Sequence, residues 1–430
     1  MKKFFMMMIF LLSTFGSAYC QPARYDLREH GRITSVKHQG IPGPCWAFAA
    51  IGAMESNWLT QNPGSIADLS EMQIAFYCYR DPEKKRNFTS HVKSGTLSLE
   101  GNVFMPVALM SRLSGPVDEK SLPYSTRLTD SEKKALSKKS PESFKRSMRL
   151  KEAYFLSGSK IPSVDEMKSL IMNHGAIVVS LYSDAGKYRN INGHYTYFNN
   201  SHGSETNHDV IIAGWDDEFS RLNFSPRPSR NGAWLVKNSW GTGRGNEGGY
   251  FWLSYEQKMT GGAAFIAERF DRRLRHYGYD DLGYCGAKRF SRGANVFRVS
   301  GKVERLKEIA FYTLRNNESY EASVYLHGKK APSSPVDGDL ISTVSGVHEF
   351  AGYHTVTLPE TVTLKEGEYF SVVLKLSGGY MPVEEKHENY SENAEVNRGE
   401  SYFSVDGKKW VDGFGLGCNV CVKAFALCRM

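Results

Sequence analysis

Beyond its first twenty residues the chain lacks any apolar run long enough to cross a bilayer, so no transmembrane anchor is expected there. It also lacks a basic helix interleaved with aromatic residues and any nucleic-acid-binding motif, which argues against a nucleic-acid partner. The formal net charge of +8 is mild for 430 residues. Hydrophobic residues at 41% and charged residues at 23% are typical of an ordinary globular protein. The length favours two domains.

Cysteine is scarce and unevenly placed, with seven residues of which four lie in the C-terminal part of the chain. Cys418 and Cys421 have the spacing of half a zinc site, but no second pair with ligand spacing accompanies them. We therefore assign no metal ligands and favour structural disulfides or free thiols. The pairing of Cys285, Cys418, Cys421 and Cys428 stays open, because four cysteines allow three pairings.

The N-terminus has the three parts of a signal peptide. Two lysines precede an apolar stretch, Phe4 to Phe15, and small residues follow up to Ala18. Cleavage after Ala18 or after Cys20 fits this pattern, and lipidation of Cys20 is an alternative. We expect residues 1–20 to be removed and the protein to be exported, periplasmic or extracellular, where disulfides are allowed.

The rest of the chain divides into two parts by pattern. Residues 21–262 mix helical and strand signals, whereas residues 263–430 show short alternating strands without helices. In the second part, Asp406-Gly407 between two strand-like segments predicts a hairpin. Polar, lysine-rich stretches at Arg80–Lys93 and Thr126–Arg149 are interpreted as surface insertions.

Cys45 has the sequence context of a reactive thiol. It follows Pro44 and opens a helical stretch, so its sulfur would feel the positive end of the helix dipole, which lowers a thiol pKa. Gln39, six residues upstream, can place a side-chain amide beside the Cys45 amide as a donor to an oxyanion. A thiolate nucleophile also requires a histidine and a group that orients it.

Ordered sequence blocks supply these partners, and together they resemble the papain family of cysteine peptidases. The resemblance covers nearly all of residues 25–255. The matching blocks are Tyr25-Asp26-Leu27-Arg28, Val36-Lys37-His38-Gln39-Gly40, Gly43-Pro44-Cys45-Trp46-Ala47-Phe48-Ala49, Leu69-Ser70-Glu71-Met72-Gln73, Gly101-Asn102, Asn207-His208-Asp209-Val210 and Lys237-Asn238-Ser239-Trp240-Gly241.

The resemblance implies a role for each matching residue. Cys45 would be the nucleophile, His208 the general base and acid, and Asn238 the residue that orients the imidazole. Gln39 would complete the oxyanion hole. Gly101 and Asn102 would line the substrate cleft, and Trp240 would shield the histidine from water. No cofactor is required for such catalysis, and the substrates would be proteins or peptides.

Three departures from the family pattern stand out. Pro42 replaces a cysteine that usually bridges to the position of Cys78, so Cys78 is expected to be a buried free thiol. Pro44 replaces a small residue beside the nucleophile, and Arg244 replaces a tryptophan. The family-like start at Tyr25 follows the expected leader closely, which leaves no room for an inhibitory pro-segment.

The C-terminal part, about 275–427, resembles the lectin-like domain of bacterial surface cysteine proteases. The implied fold is an α+β papain-like, two-lobed peptidase (a helical lobe plus a β-barrel lobe) followed by an all-β jelly-roll-like sandwich. The resemblance also implies glycans as partners and a structural calcium ion. Asp280, Asp281 and Asn295 are oxygen donors near the start of this part, but none is assigned as a calcium ligand. Among the aromatic residues, Tyr353, Tyr380 and Trp410 are expected to be exposed and able to stack on sugar rings.

The main function predicted is that of a secreted cysteine endopeptidase. Two alternatives belong to other classes: an adhesion or carbohydrate-binding protein on a peptidase scaffold, and a cysteine amidase or transferase that uses the same triad. The presence of Cys45, His208, Asn238 and Gln39 argues against an inactive scaffold.

Overall fold

The structure is a computed structural model that describes residues 21–40, 43–81, 86–87, 100–156, 162–201, 205–388 and 390–428. The expected leader, residues 1–20, and Pro42 lie outside these ranges. Among the helices that the structure describes, none is long and apolar enough to cross a membrane.

The first part of the chain mixes helices and strands, as the sequence predicts. Its elements are β1 (Arg24–Asp26), α1 (Cys45–Gln61), α2 (Glu71–Tyr77), β2 (Arg80–Asp81), β3 (Arg86–Asn87), α3 (Phe104–Ser111), α4 (Asp130–Leu136), β4 (Met148–Phe155), α5 (Val164–His174), β5 (Ile177–Leu181), β6 (Arg189–Ile191), β7 (His194–Tyr197), β8 (His208–Asp216), β9 (Ala233–Lys237), β10 (Tyr250–Ser254) and β11 (Met259–Arg269).

The second part is almost entirely β-structure, which confirms the predicted change of pattern. Its elements are β12 (Leu274–Tyr277), β13 (Gly286–Lys288), β14 (Arg292–Arg298), β15 (Val303–Thr313), β16 (Glu318–Gly328), β17 (Asp339–His348), β18 (Gly352–Lys365), β19 (Tyr369–Leu376), β20 (Met381–Glu385), β21 (Ser401–Ser404), β22 (Val411–Asp412), α6 (Gly413–Leu416), β23 (Cys418–Val420) and β24 (Val422–Cys428).

Helix α1 is the buried centre of the first part. The helix itself carries small and apolar residues on nearly all of its faces, and 13 of its 17 residues are buried. Such a helix belongs in a core and not on a surface. It packs against β8 and β11, while α2 begins beside it where the Ser70 hydroxyl accepts a hydrogen bond from the Gln73 amide. The helix therefore fixes Cys45 at the edge of a large core.

Antiparallel strands form the other half of the first part, in the order β5-β8-β9-β10, with β1 paired to β8. The strands predicted around positions 176–181, 210–213 and 232–237 correspond to β5, β8 and β9. All three are buried along most of their length, in keeping with their apolar, β-branched sequences.

The second part is a sandwich of two sheets. One sheet has the order β17-β16-β19-β14-β21-β22, and the other contains β12-β24-β15-β18. Inward side chains of both sheets form a second core, which includes Phe297, Ile309 and Val372. Alternating strands of this kind bury one face each, which is why period-two patterning predicts the architecture.

The two parts are joined through one continuous sheet. Strand β18 of the sandwich pairs with β4 of the first part, with Gly352 opposite Tyr154 and Tyr353 opposite Ala153. A side chain at Gly352 would place its Cβ 1.9 Å from the Ala153 carbonyl oxygen, so only glycine permits this approach. The boundary expected after residue 262 lies inside β11, which pairs with both β4 and β5.

Two expectations from the sequence need correction. The stretch Thr126–Arg149 is mostly exposed, as expected of a surface insertion, but it ends inside β4, where Arg149 is 1% exposed. Tyr353 lies buried at the joint between the two parts and is not available to sugars. The hairpin predicted at Asp406-Gly407 is confirmed, since β21 pairs with β22. The Asp406 carboxylate accepts hydrogen bonds from the amides of Lys408 and Lys409 in its loop, and β22 begins at Val411.

Candidate active site

Cys45 is the first residue of α1. Pro44 before it has φ −80° and ψ 73°, the backbone geometry of an inverse γ-turn, and the Cys45 N–H accordingly donates to the Gly43 carbonyl oxygen at 3.0 Å. Proline suits this position because the first amides of a helix have no partner within it. The thiol is partly exposed at the positive end of the helix dipole.

His208 and Asn238 are brought together by the pairing of β8 with β9. His208 opens β8, and Asn238 directly follows β9. The His208 Nε2 lies 2.9 Å from the Asn238 Oδ1, and the Ser239 N–H donates to the same oxygen at 2.9 Å. Because that oxygen is an acceptor, the histidine carries its proton on Nε2 and keeps Nδ1 as an acceptor.

The Cys45 thiol lies against the start of β8 in the candidate active site. The backbone amide of Asp209, next to His208, forms a hydrogen bond with the Cys45 sulfur. Burial raises the pKa of the Cys45 thiol to about 11, and the Asp209 carboxylate adds to the increase. Burial also lowers the pKa of His208 to about 4. The lowering of the thiol pKa expected from the helix end is thus outweighed by burial.

Trp240 covers the imidazole. Its ring stacks on His208 with centroids 4.8 Å apart and planes 19° apart. The Arg244 guanidinium lies 4.6 Å from the centroid of the Trp240 ring, so the arginine that departs from the family pattern packs against the same indole. The indole covers one face of the imidazole, and His208 and Asn238 are both buried; that Trp240 shields their contact from water stays a prediction.

Gln39 and the Cys45 amide converge on one oxygen atom. The Gln39 Nε2 donates to the Gly43 carbonyl at 3.1 Å, and the Cys45 N–H donates to the same oxygen. The Ser239 hydroxyl donates to the Gln39 Oε1, which fixes the orientation of the amide. Two donors at about 3 Å from one point are the arrangement that stabilises an oxyanion. A substrate carbonyl would have to replace the Gly43 oxygen there.

Gly101 and Asn102 lie near the nucleophile in different roles. A Cβ at Gly101 would lie 2.3 Å from the Trp46 ring, so no side chain fits between the Gly101 backbone and that indole. The Asn102 Oδ1 accepts a hydrogen bond from the Phe104 amide at 2.9 Å, which supports the start of α3. The substrate-binding roles of both residues stay predictions.

A buried charge network behind the site was not predicted from the sequence. The Lys37 ammonium lies 3.0 Å from Glu71 and 3.7 Å from Glu55, both nearly fully buried. The Lys237 ammonium donates to Thr34, whose hydroxyl donates to Glu55. A cavity of about 20 Å³ among these groups has room for one water. Glu55, an acidic residue inside an apolar helix, is the sequence signal that would have revealed it, because buried charges are normally paired.

Two of the oxygen donors in the C-terminal part, Asp280 and Asn295, are engaged in contacts within the protein. Lys423 forms an ion pair with Asp280, and both side chains are buried. The Asn295 amide donates to the carbonyls of Val420 and Val422. The described residues contain no group of three or more histidine, cysteine or acidic side chains suited to a metal ion. The described cysteines are free thiols, including Cys78 as predicted.

Comparison with known proteins places these observations in a family. The papain family cysteine protease profile matches residues 21–268, and the lectin-like domain profile matches residues 276–426. The first match covers more than half of the chain. Together they confirm the expected order of the two domains.

Curated relatives align with the first part of the chain. A cysteine protease of Blomia tropicalis is 26% identical over 257 residues, which cover 60% of this chain and 67% of the relative. Cathepsin L of Sarcophaga peregrina is 27% identical over 260 residues, covering 58% and 65%. Several other relatives are matched over less than two thirds of their length, down to 51%.

Solved structures extend the fold similarity to nearly the whole chain. The clostridial cysteine protease Cwp84, after propeptide cleavage, gives a TM-score of 0.77 at 23% identity and covers 94% of this chain and 99% of that one. A second structure, of the protease and lectin-like domains of Cwp84 from Clostridium difficile, also gives 0.77 at 22% identity, covering 95% and 89%. The chain therefore belongs to the papain family of cysteine proteases and carries a lectin-like domain after its protease domain.

Proposed function

We propose that this protein hydrolyses peptide bonds with Cys45 as nucleophile and His208 as proton carrier. The Nδ1 of His208 takes the thiol proton as the sulfur attacks the carbonyl carbon of the substrate. His208 then gives this proton to the departing amine, which leaves a thioester on Cys45. Water, deprotonated by His208, attacks the thioester, and the acid leaves as the thiol re-forms. Only side chains and water take part, so no cofactor is needed.

The convergence of Gln39 and the Cys45 amide on one oxygen carries this proposal. In each attack the carbonyl oxygen becomes an oxyanion, and two preset donors about 3 Å away stabilise it more than they stabilise the substrate. Asn238 holds the imidazole in the tautomer that leaves Nδ1 able to accept a proton. A protein that only binds its partner requires neither two donors directed at one oxygen nor an imidazole held in one tautomer.

The thiol and the imidazole act as a coupled pair. Each group alone favours its neutral form in this site, because burial opposes both charges. Transfer of the proton from Cys45 to His208 creates two opposite charges that stabilise each other. We therefore propose that the ion pair forms when substrate displaces the Gly43 carbonyl from the two donors.

Proteins or peptides are the proposed substrates, and the lectin-like domain is proposed to position them, with glycans as possible ligands. Tyr380 is 41% exposed and is a candidate to stack on a sugar. Export is proposed from the leader-like N-terminus. Cwp84 is described as a surface layer associated protein, which is a property of that relative.

Cleavage of a peptide library by the purified protein tests the proposal. We expect Cys45→Ala to lower kcat/KM by at least about a thousandfold, and Gln39→Ala by about a hundredfold or more. Cys428→Ser, which removes a thiol far from the site, is the matched control and should cleave normally. Absence of cleavage by every variant and the wild type would favour the adhesion function. Transfer of the acyl group to added amines in place of water would favour the transferase.

A further inference from the structure

A cavity of about 630 Å³ lies where the protease domain meets the lectin-like domain. We call it the junction pocket. Both domains contribute to its wall: the protease strands β4 and β11, the segment that leads from β11 into β12, and the sandwich strands β15 and β24. Its lining residues are Arg149, Glu268, Arg269, Phe270, Asp271, Arg272, Arg273, Leu274, Lys307 and Leu427.

The side chains that line the junction pocket carry a net positive charge. Five cationic side chains line it, against two carboxylates. Arg273 forms a bidentate pair with Asp271, so these two charges balance each other. Arg269 and Arg272 are exposed, and neither side chain has a hydrogen bond or ion pair with any residue that the structure describes. Two guanidinium groups are thus available to a ligand.

Arg149 in the wall of the junction pocket is buried, and only part of its guanidinium is hydrogen-bonded. Its side chain is 2% exposed, its Nη2 pairs with the carboxylates of Glu268 and Glu308, and the guanidinium lies over the Phe425 ring. The Nε and Nη1 atoms have no hydrogen-bond partner among the described residues. Buried N–H groups of a cation without an acceptor are unfavourable. An acceptor-rich ligand in the pocket would relieve that deficit.

Repulsion between cations is confined to part of the junction pocket. Burial lowers the pKa of Arg146, whose guanidinium carbon lies 4.3 Å from the Phe270 ring centroid; the Glu142 carboxylate opposes this shift, and the charge of Arg272 adds to it. Lys307, 40% exposed, lies on the sandwich side, with its ammonium 3.3 Å from Glu308, which also pairs with Arg149. An anion bound near Arg269 and Arg272 would reduce the repulsion that these carboxylates leave.

The junction pocket is not part of the substrate cleft. At the far end of α1, the Asn57 Oδ1 accepts a hydrogen bond from the Ala267 amide, and the Gln61 amide donates to the Ala267 carbonyl. Ala267 precedes the pocket residues of β11 directly. A helix rises about 1.5 Å per residue, so the 17 residues of α1 separate Cys45 from this end by roughly 25 Å.

We propose that the junction pocket binds a sugar-sized ligand that carries a phosphate or sulfate ester. Guanidinium groups bind such oxyanions with paired, charge-assisted hydrogen bonds. The volume exceeds that of a bare phosphate and falls in the range of small-molecule sites. Because both domains line the junction pocket, a bound ligand contacts both of them and stabilises their packing against each other.

Calorimetric titration of the full-length protein tests this assignment. The two probes are inorganic phosphate and a sulfated disaccharide, which separate a free anion from an ester on a sugar. We expect the disaccharide to bind at least tenfold more tightly than phosphate, with an affinity that falls as NaCl rises from about 50 to about 300 mM. The double variant Arg269→Gln/Arg272→Gln should weaken its binding at least tenfold.

Arg221→Gln, which removes an exposed arginine elsewhere on the protease domain, is the matched control and should bind like the wild type. The sulfated disaccharide should also raise the melting temperature of the wild type but not that of the double variant. Failure of both probes to bind, equal binding by the double variant, or binding indifferent to salt would overturn the proposal. Tighter binding of bare phosphate than of the disaccharide would overturn the sugar-sized ligand.

Discussion

At the scale of single residues, the Cys45 thiol lies among groups with opposite effects on its ionisation. The Asp209 carboxylate is 7% exposed and raises the thiol pKa, whereas backbone amides of Trp46 and Asp209 lower it. Burial raises the pKa of Asp209 itself to about 6, although a hydrogen bond from Ser180 opposes the increase. At neutral pH the carboxylate is therefore mostly charged and disfavours the thiolate.

Asp209→Asn is predicted to make Cys45 more reactive. The amide keeps an oxygen that can accept from Ser180 but removes the negative charge, so the thiol pKa falls. Alkylation by iodoacetamide, followed against pH, should shift to lower pH, and the rate at pH 7 should rise. Ser180→Ala is a graded control, because loss of this hydrogen bond raises the pKa of Asp209 further and removes its charge only in part. Its curve should lie between those of the wild type and Asp209→Asn near pH 7 and approach the wild type at higher pH. An unchanged curve in Asp209→Asn would show that this carboxylate does not act on the thiol.

Short sequence motifs single out the candidate site residues, whereas the surroundings of these residues were not predicted. Cys45, His208, Asn238 and Gln39 lie in short motifs, and the strand pairing that joins two of them follows from apolar runs. Arg149 was misplaced because a charged residue in a lysine-rich stretch is normally exposed, and only its long-range partners make burial possible.

At the scale of secondary structure elements, the pairing of β4 with β18 decides how the domains meet. Besides the ladder, the Phe155 amide donates to the Ala351 carbonyl at 2.8 Å, and the Thr355 hydroxyl donates to the Lys151 carbonyl at 2.7 Å. Gly352 allows the close approach, with φ at +149°. No local signal in the sequence predicts this pairing, because it joins segments about two hundred residues apart.

Gly352→Ala is predicted to destabilise the protein by at least about 2 kcal/mol, since its Cβ would collide with the Ala153 carbonyl. Gly379→Ala is the matched control. Gly379 also has positive φ, at +72°, but a Cβ there meets nothing within 4 Å, so its loss should be about 1 kcal/mol. Urea unfolding of both variants measures the difference. Equal losses would mean that the β4–β18 approach contributes little.

At the scale of the whole molecule, the large hydrophobic core around α1 takes residues from both domains, although the sandwich also has a core of its own. The cluster around α1 includes Tyr312, Tyr353 and Phe425 from the lectin-like domain. The buried ion pair between Arg149 and Glu308 also crosses the joint. Removal of one partner of such a pair leaves a buried charge uncompensated. Patterning predicts two separate domains, but it does not reveal how much of the core they share.

The full-length protein is therefore predicted to unfold in one calorimetric transition. A chain ending at residue 268 would lose β18, the strand of the lectin-like domain that pairs with β4. Tyr154 and Phe155 would then be uncovered, so the shortened chain should aggregate or melt at a lower temperature. Two transitions in the full chain, or a truncated chain as stable as the protease part of the whole, would contradict a shared core.

The central claim is that Cys45 performs the chemistry, and covalent labelling tests it most directly. The native protein is treated with an epoxysuccinyl peptide, its intact mass is measured, and the modified residue is located by peptide mapping. The account predicts one label per molecule, on Cys45, with peptidase activity lost in proportion to labelling. Cys78, Cys418 and Cys421 should stay unmodified because they are buried. Full activity after complete labelling of Cys45, or inactivation through another cysteine, would contradict the account.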